Sequence, residues 1–189
     1  MDKVRHYSKR RAVDGHCSLM SSERGAIAVR MAVETDLPVI LDFIERLAGY
    51  ERLADKCFAT EDKLRATLFT QSPAAEVLIA SIDKRPVGFA LFFHNYSTFL
   101  AQRGVFLEDL FVAPEARGKG VGGALLSSLA RIALDRDCGR IEWNVLDWNE
   151  LAIGFYRSIG AVAMDDWTTF RITDTPLITL ASKAPHLTQ

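Results

Sequence analysis

Two carboxylates, Glu108 and Asp109, stand side by side in an otherwise apolar run, Val105-Phe-Leu-Glu-Asp-Leu-Phe-Val112. Acids inside an interior strand cost desolvation unless they meet a cation or handle a proton. Just beyond them lies Arg117-Gly-Lys-Gly-Val-Gly-Gly123, which opens a long apolar-striped segment. Glycines let backbone N–H groups crowd together at a helix N-terminus, where a phosphate is best received. Arg117 and Lys119 add positive charge at the same place. A phosphate seat joined to a strand with acids in its middle suggests an active site. The plainer reading is that strand alternation sets Glu108 and Asp109 on opposite faces, so that one of them simply pairs with a basic side chain.

Three ligand classes compete for the glycine loop. Gly118, Gly120 and Gly123 satisfy the spacing of the dinucleotide fingerprint. That fingerprint should follow its strand immediately and sit in the first crossover of a doubly wound sheet. Here Ala113 to Arg117 intervene, and a hairpin-rich stretch precedes. A Walker loop needs Gly-Lys-Ser/Thr at its end, but Lys119 is followed by Gly120. The pyrophosphate of coenzyme A is the third class.

The positioning elements follow from periodicity and punctuation. Ala26 to Met31 reads as a short strand. Thr35 is a candidate N-cap, with Pro38 in the first turn of a helix that buries Ile40, Phe43, Ile44, Leu47 and Ala48 and loosens at Gly49. Thr60 caps a second helix carrying Leu64, Leu68 and Phe69. Val77 to Ile82 and Val87 to His94 form a hairpin around Asp83-Lys-Arg-Pro86. Asn95-Tyr-Ser-Thr98 opens a loop before the central strand. Val121, Leu125, Leu129, Ile132 and Ala133 repeat at helical spacing, in a helix ending before Gly139. Ile141 to Leu146 is a strand. Asn149 caps a helix whose buried row is Leu151, Phe155 and Ile159, stopped by Gly160. Ala161 to Met164 and Trp167 to Ile172 read as a closing pair of strands. Strands, one strand–helix–strand crossover and more strands imply an α/β or α+β domain, with a mixed sheet and helices on both faces.

The whole chain has 189 residues and a net charge of −1, which fits one domain and argues against nucleic-acid binding. Residues 1–25 differ, with six Lys/Arg against three Asp/Glu, and read as a mobile basic tail. The domain is expected over 26–182, with a short tail at 183–189. No run reaches membrane-spanning length. Cys17, Cys57 and Cys138 are odd in number and widely spaced, without a metal pattern, which fits a reduced cytoplasmic compartment.

At Arg117-x-x-Gly120-x-Gly122, directly after Val112-Ala-Pro, the chain resembles the acetyl-CoA motif of the GNAT N-acetyltransferases. Leu107-Glu-Asp-Leu-Phe-Val112, Val145-Leu-Asp-Trp-Asn149 and Phe155-Tyr-Arg-Ser-Ile-Gly-Ala161 resemble the diamine acetyltransferase branch. Asn95-Tyr-Ser-Thr98 and Leu146-Asp-Trp-Asn149 look most like its thialysine N-epsilon-acetyltransferase-type members. The similarity runs from about Ile27 to about Ile172.

The resemblance implies a sheet of six to seven strands, splayed between the strands ending at Val112 and Leu146. It implies a cofactor site made by Leu110, Phe111, Val112, Arg117, Gly118, Lys119, Gly120, Val121, Gly122, Gly123, Asn149 and Tyr156. Pantetheine would pair with backbone at Leu110 and Val112, and pyrophosphate would rest on the glycine amides. A homodimer is implied too. An alkyl ammonium with a pKa near about 10.4 leaves only about one molecule in a thousand nucleophilic at neutral pH, so a base is needed. Glu108 is the expected base, directly or through water. Tyr156 is the expected acid toward the leaving thiolate, and the Leu110 N–H faces the developing oxyanion. Tyr50, Glu51, Glu108 and Asp109 would line the amine site. Plainer fates exist: Tyr156 as a core residue, Asn149 as a simple N-cap, Glu51 as a solvated helix end. A non-catalytic acyl-CoA sensor is the alternative from another class. Ser97 and Phe99 stand where polyamine-acetylating members carry an acid and a tryptophan. The acceptor is therefore expected to be a thialysine- or lysine-like amino acid rather than a polyamine, with Arg103 as a candidate for its carboxylate.

Overall fold

The computed structural model describes residues 25–185. Of the tails expected at 1–25 and 183–189, residues 1–24 and 186–189 lie outside the described residues, as does Cys17. The described chain divides between Asn144 and Val145 into two compact units.

The first unit is built on one mixed sheet of five strands in the order β1-β2-β3-β4-β5: Ile27–Met31, Glu76–Ile82, Arg85–Ser97, Gln102–Val112 and Ile141–Trp143. The first four form an antiparallel meander. β5 lies parallel to β4, which requires a crossover, and helix α3 (Val121–Asp135) provides it. Helices α1 (Leu37–Tyr50) and α2 (Glu61–Leu68) lie between β1 and β2 in sequence.

Strand alternation assigns the two faces. Phe89 on β3 and Phe111 on β4 are cross-strand partners, and both meet Phe43 of α1, at 5.8 and 5.5 Å between ring centroids. The opposite face carries Gly88, Ala90 and Phe92. A methyl group built on Gly88 would come within 3.4 Å of Val121 at the start of α3, and Arg136 at its end lies over Phe92. Helices therefore cover both faces, with Phe89, Phe92, Ile40, Leu125 and Leu129 fully buried between them. Each such side chain contributes roughly 1.5–3 kcal/mol of hydrophobic stabilisation.

Several local expectations are corrected. The first hairpin turn is only Asp83-Lys84, both at positive φ, because Ile82 pairs directly with Arg85. Such a primed two-residue turn matches the strand twist, and Pro86 falls inside β3. Asn95 to Ser97 belong to β3 rather than to a loop, since they pair with Gly104, Arg103 and Gln102. Thr35 is not the N-cap. It sits in a 3-10 turn, Glu34–Asp36, and Asp36 takes the cap position. The Asp36 carboxylate accepts from Arg30, at 2.6 and 2.7 Å, and from the Val33 N–H at 2.8 Å, which fixes this turn before α1 begins. Thr60 does cap α2, accepting from the Lys63 N–H.

The second unit holds α4 (Glu150–Ser158) and α5 (Asp174–Ala181). The expected strands at Ala161 to Met164 and Trp167 to Ile172 are irregular, so the sheet has five strands rather than six or seven. A strand exists only through a ladder partner, and none is formed there among the described residues. The row Leu151, Phe155, Ile159 is correspondingly not buried: Leu151 and Ile159 are exposed, and no α4 residue is buried.

Candidate active site

A bulge in β4 organises the carboxylates. Leu107 pairs with Phe92 and Asp109 pairs with Leu91, leaving Glu108 as the extra residue. In an unbroken strand Leu107 and Asp109 would share a face. The bulge reverses the phase, so Leu107 stays on the α3 face while Asp109 joins Leu91 and Phe111 on the α1 face. The assumption that regular alternation sets Glu108 and Asp109 on opposite faces fails at this point. Glu108 is exposed and Asp109 partly buried. Burial raises the Asp109 carboxyl to about 6, helped by the negative charges of Glu108 and Glu51. Glu51 follows the last residue of α1, and burial raises its carboxyl as well. Three acids from two elements thus share one neighbourhood, and a cationic ligand would relieve their mutual repulsion.

Next to them the sheet opens. The β4–β5 ladder ends at Leu107 and Trp143, whereas β4 continues to Val112. The Ala113 N–H donates to the Val87 carbonyl at 2.8 Å. By alternation, the N–H and C=O groups of Leu110 and Val112 face away from β3, toward the open side. The Val112 carbonyl accepts there from Arg117 Nε at 3.1 Å.

β4 leads into the glycine loop. Gly118 and Gly120 have φ of +73° and +91°, a conformation that other residues adopt only with strain. Gly120 is the N-cap of α3 and has no side-chain cap, and the first turn carries no acid. The first helical hydrogen bond runs from the Ala124 N–H to the Gly120 carbonyl, so the amides of Val121, Gly122 and Gly123 have no intrahelical acceptor. Arg117, Lys119 and the exposed loop complete a positive, donor-rich seat. The donor set suits an anionic group such as a pyrophosphate.

Two further contacts join α1 to this region. The Arg117 guanidinium lies 4.8 Å from the Tyr50 ring centroid. Arg46 lies 5.2 Å from the Phe111 centroid and reaches Glu115 at 3.5 Å. Arg46 escaped the sequence reading because an arginine on the helix face packing against the core looks like a solvated residue. Its spacing from Phe43 and Tyr50 on one helical face was the available signal.

Asn149 and Tyr156 belong to the second unit. Asn149 caps α4, its Oδ1 accepting from the Ala152 N–H at 3.3 Å. Tyr156 packs against Phe155 at 5.6 Å between centroids.

The Acetyltransferase (GNAT) family pattern matches residues 45–161, which span the carboxylates, the open edge and the glycine loop. The chain belongs to this family. It is therefore an N-acetyltransferase, and the family implies acetyl-CoA as acyl donor. The chain is similar to a thialysine N-epsilon-acetyltransferase of Bos taurus, at 36% identity over 83% of this chain and 98% of that protein. It is also similar to an L-ornithine N5-acetyltransferase of Arabidopsis thaliana, at 33% identity over 77% and 83% of the two chains. Among solved structures, an integron cassette protein of V. cholerae matches with a TM-score of 0.69 and 29% identity, covering 83% of this chain and 98% of that one. Among the described residues no helix is long and apolar enough to cross a membrane, and no cluster of metal-ligating side chains occurs.

Proposed function

We propose that this acetyltransferase acts on the side-chain amine of a small amino acid of the thialysine, ornithine or lysine type. The observation that carries the proposal is the placement of Glu51, Glu108 and Asp109 beside the open edge of β4, which runs into the uncapped N-terminus of α3. A compact cationic head fits three clustered acids, and an extended amide-bearing arm fits an unpaired strand edge. The relatives named for thialysine and ornithine support the acceptor class.

Bound acetyl-CoA supplies the activated acyl group. The first-turn amides of α3, with Arg117 and Lys119, receive its phosphates, and the outward backbone of Leu110 and Val112 orients its arm. Asp109 and Glu51 hold the ammonium. Glu108, exposed at the bulge, accepts the amine proton through water. Tyr156 is assigned as proton donor on its match within Phe155-Tyr-Arg-Ser-Ile-Gly-Ala161, and Asn149 as a cofactor contact on the same kind of match. A homodimer in the reduced cytoplasm completes the reading.

Ser97 supports an amino-acid acceptor only indirectly. It is buried, and its Oγ accepts the Leu100 N–H in the β3–β4 turn, while Phe99 is 95% exposed at the tip. Neither offers a polycation a charge. Arg103 is set aside as a carboxylate receptor within one chain, because it lies roughly 15 Å or more along β4 from Glu108.

Free-thiol release should be followed with acetyl-CoA and a panel of thialysine, ornithine, lysine, putrescine and spermidine. The expected result is a kcat/KM at least tenfold higher for one of the amino acids than for spermidine. A tenfold preference for spermidine would place the chain with polyamine enzymes.

A further inference from the structure

Arg117 makes two contacts that a simple phosphate-binding cation does not need. Its Nε donates to the Val112 carbonyl on the open side of β4, at 3.1 Å. Its guanidinium carbon lies over the Tyr50 ring, 4.8 Å from the ring centroid. Tyr50 is the last residue of α1, and the next residue, Glu51, bears electrostatically on Asp109. One side chain therefore ties the entrance of the glycine loop to the helix end that carries a wall of the acid cluster.

The backbone around Arg117 leaves little slack. It is extended at φ −65° and ψ 152°, directly between a 3-10 turn (Pro114–Ala116) and the left-handed Gly118. One helical turn earlier Arg46 repeats the arrangement, over Phe111 and paired with Glu115 of the same turn. Phe43, Arg46 and Tyr50 share one face of α1, so the helix meets β4 and the loop approach along its C-terminal half.

We propose that Arg117 is a positioning residue for the amine site, coupling occupancy of the glycine loop to the placement of Tyr50 and Glu51. This rests on the reading given under Proposed function. Its consequence is that coenzyme A and the amine bind with positive cooperativity. Because linkage is reciprocal, each ligand raises the other's affinity by the same factor. Lysine cannot replace Arg117 in this role: an ammonium keeps the charge but has neither the stacking plane nor a second donor on Nε.

The test uses calorimetry and steady-state kinetics on the full chain. Wild-type protein should bind coenzyme A, and thialysine should bind several-fold more tightly with coenzyme A present than without it. In Arg117→Lys at saturating acetyl-CoA, the amine KM should rise at least fivefold, kcat should change less, and the cooperativity ratio should collapse toward one. Tyr50→Leu should raise the amine KM equally, and the double variant should be no worse than either single one. Additive effects, or a wild-type amine KM in Arg117→Lys at saturating acetyl-CoA, would overturn the coupling role. Should Arg117→Lys not fold, the cooperativity ratio in Tyr50→Leu decides, and a wild-type ratio there overturns the proposal. Wild-type protein that binds no coenzyme A would sink the functional reading instead.

Discussion

Glu108 and Asp109 differ by one methylene, yet the bulge gives them different chemistry. Glu108 is exposed, while Asp109 is held against α1 where burial and two neighbouring acids raise it to about 6. Two kinetic outcomes follow from this division. As the pH falls through about 6, Asp109 takes up a proton and ceases to hold an ammonium, so kcat/KM should decline there beyond the fall caused by amine protonation. Asp109→Asn should raise the amine KM at pH 8 and remove that extra limb. Glu108→Gln should lower kcat by about 10²-fold, most severely at low pH where nearly all the amine carries its proton. A pH–rate profile in Glu108→Gln that overlays the wild type would remove Glu108 as the base. Tyr156→Phe keeps the ring against Phe155 and deletes only the hydroxyl. Its melting temperature should hold while turnover drops by about 10²-fold. Wild-type turnover in Tyr156→Phe would return that residue to a packing role.

At the scale of the element, β4 and α3 were legible because their signals are local: an unbroken apolar run, glycines at loop positions, then a stripe at helical spacing. The bulge was not legible as such, although its reason lies in the same residues. Leu107 and Asp109 in phase would press a carboxylate against the α3 face beside Phe92, a conflict between pattern and chemistry that one inserted residue removes. The missing strands at 161–172 show the opposite case. Val162, Met164, Trp167 and Phe170 have strand-like character, yet all four are exposed, and β propensity without a ladder partner does not make a strand. The α3 N-terminus offers a test that separates folding from binding. Gly123 lies in the first turn with open space where a Cβ would stand. Gly123→Asp should fold at least as stably as the wild type, since a carboxylate in the first turn suits the helix dipole and glycine is a poor helix former. The same carboxylate should repel a pyrophosphate. Calorimetry should show coenzyme A affinity falling by at least tenfold; an unchanged affinity in the folded variant would refute the loop assignment.

The whole molecule balances opposing titrations. Arg30 holds the Asp36 carboxyl below its ordinary range, and Arg136 does the same for Glu76 through a two-point pair with α3's end on one side and β2 on the other. Both acids have folded values below their unfolded ones, so their stabilisation is present at neutral pH and is lost as the pH drops through those depressed values. Asp109 has the reverse sign. Its folded value lies above the unfolded one, so it costs nothing below the unfolded value, and the cost grows as pH rises from 3.8 to about 6. Above that window the molecule carries a standing penalty of about 1–3 kcal/mol at one partly buried carboxylate. A carboxylate that receives an ammonium recovers that cost on binding. Urea unfolding of wild type and Asp109→Asn between pH 3.5 and 8 should therefore give coincident stabilities at the acid end. The variant should become more stable above pH 6, by about 1–3 kcal/mol. Thialysine should stabilise the wild type against urea more than it stabilises the variant. If Asp109→Asn is equally or less stable at pH 8, Asp109 is a structural partner in the native state rather than a strained binding group. The carboxylate cluster would then owe its place to packing.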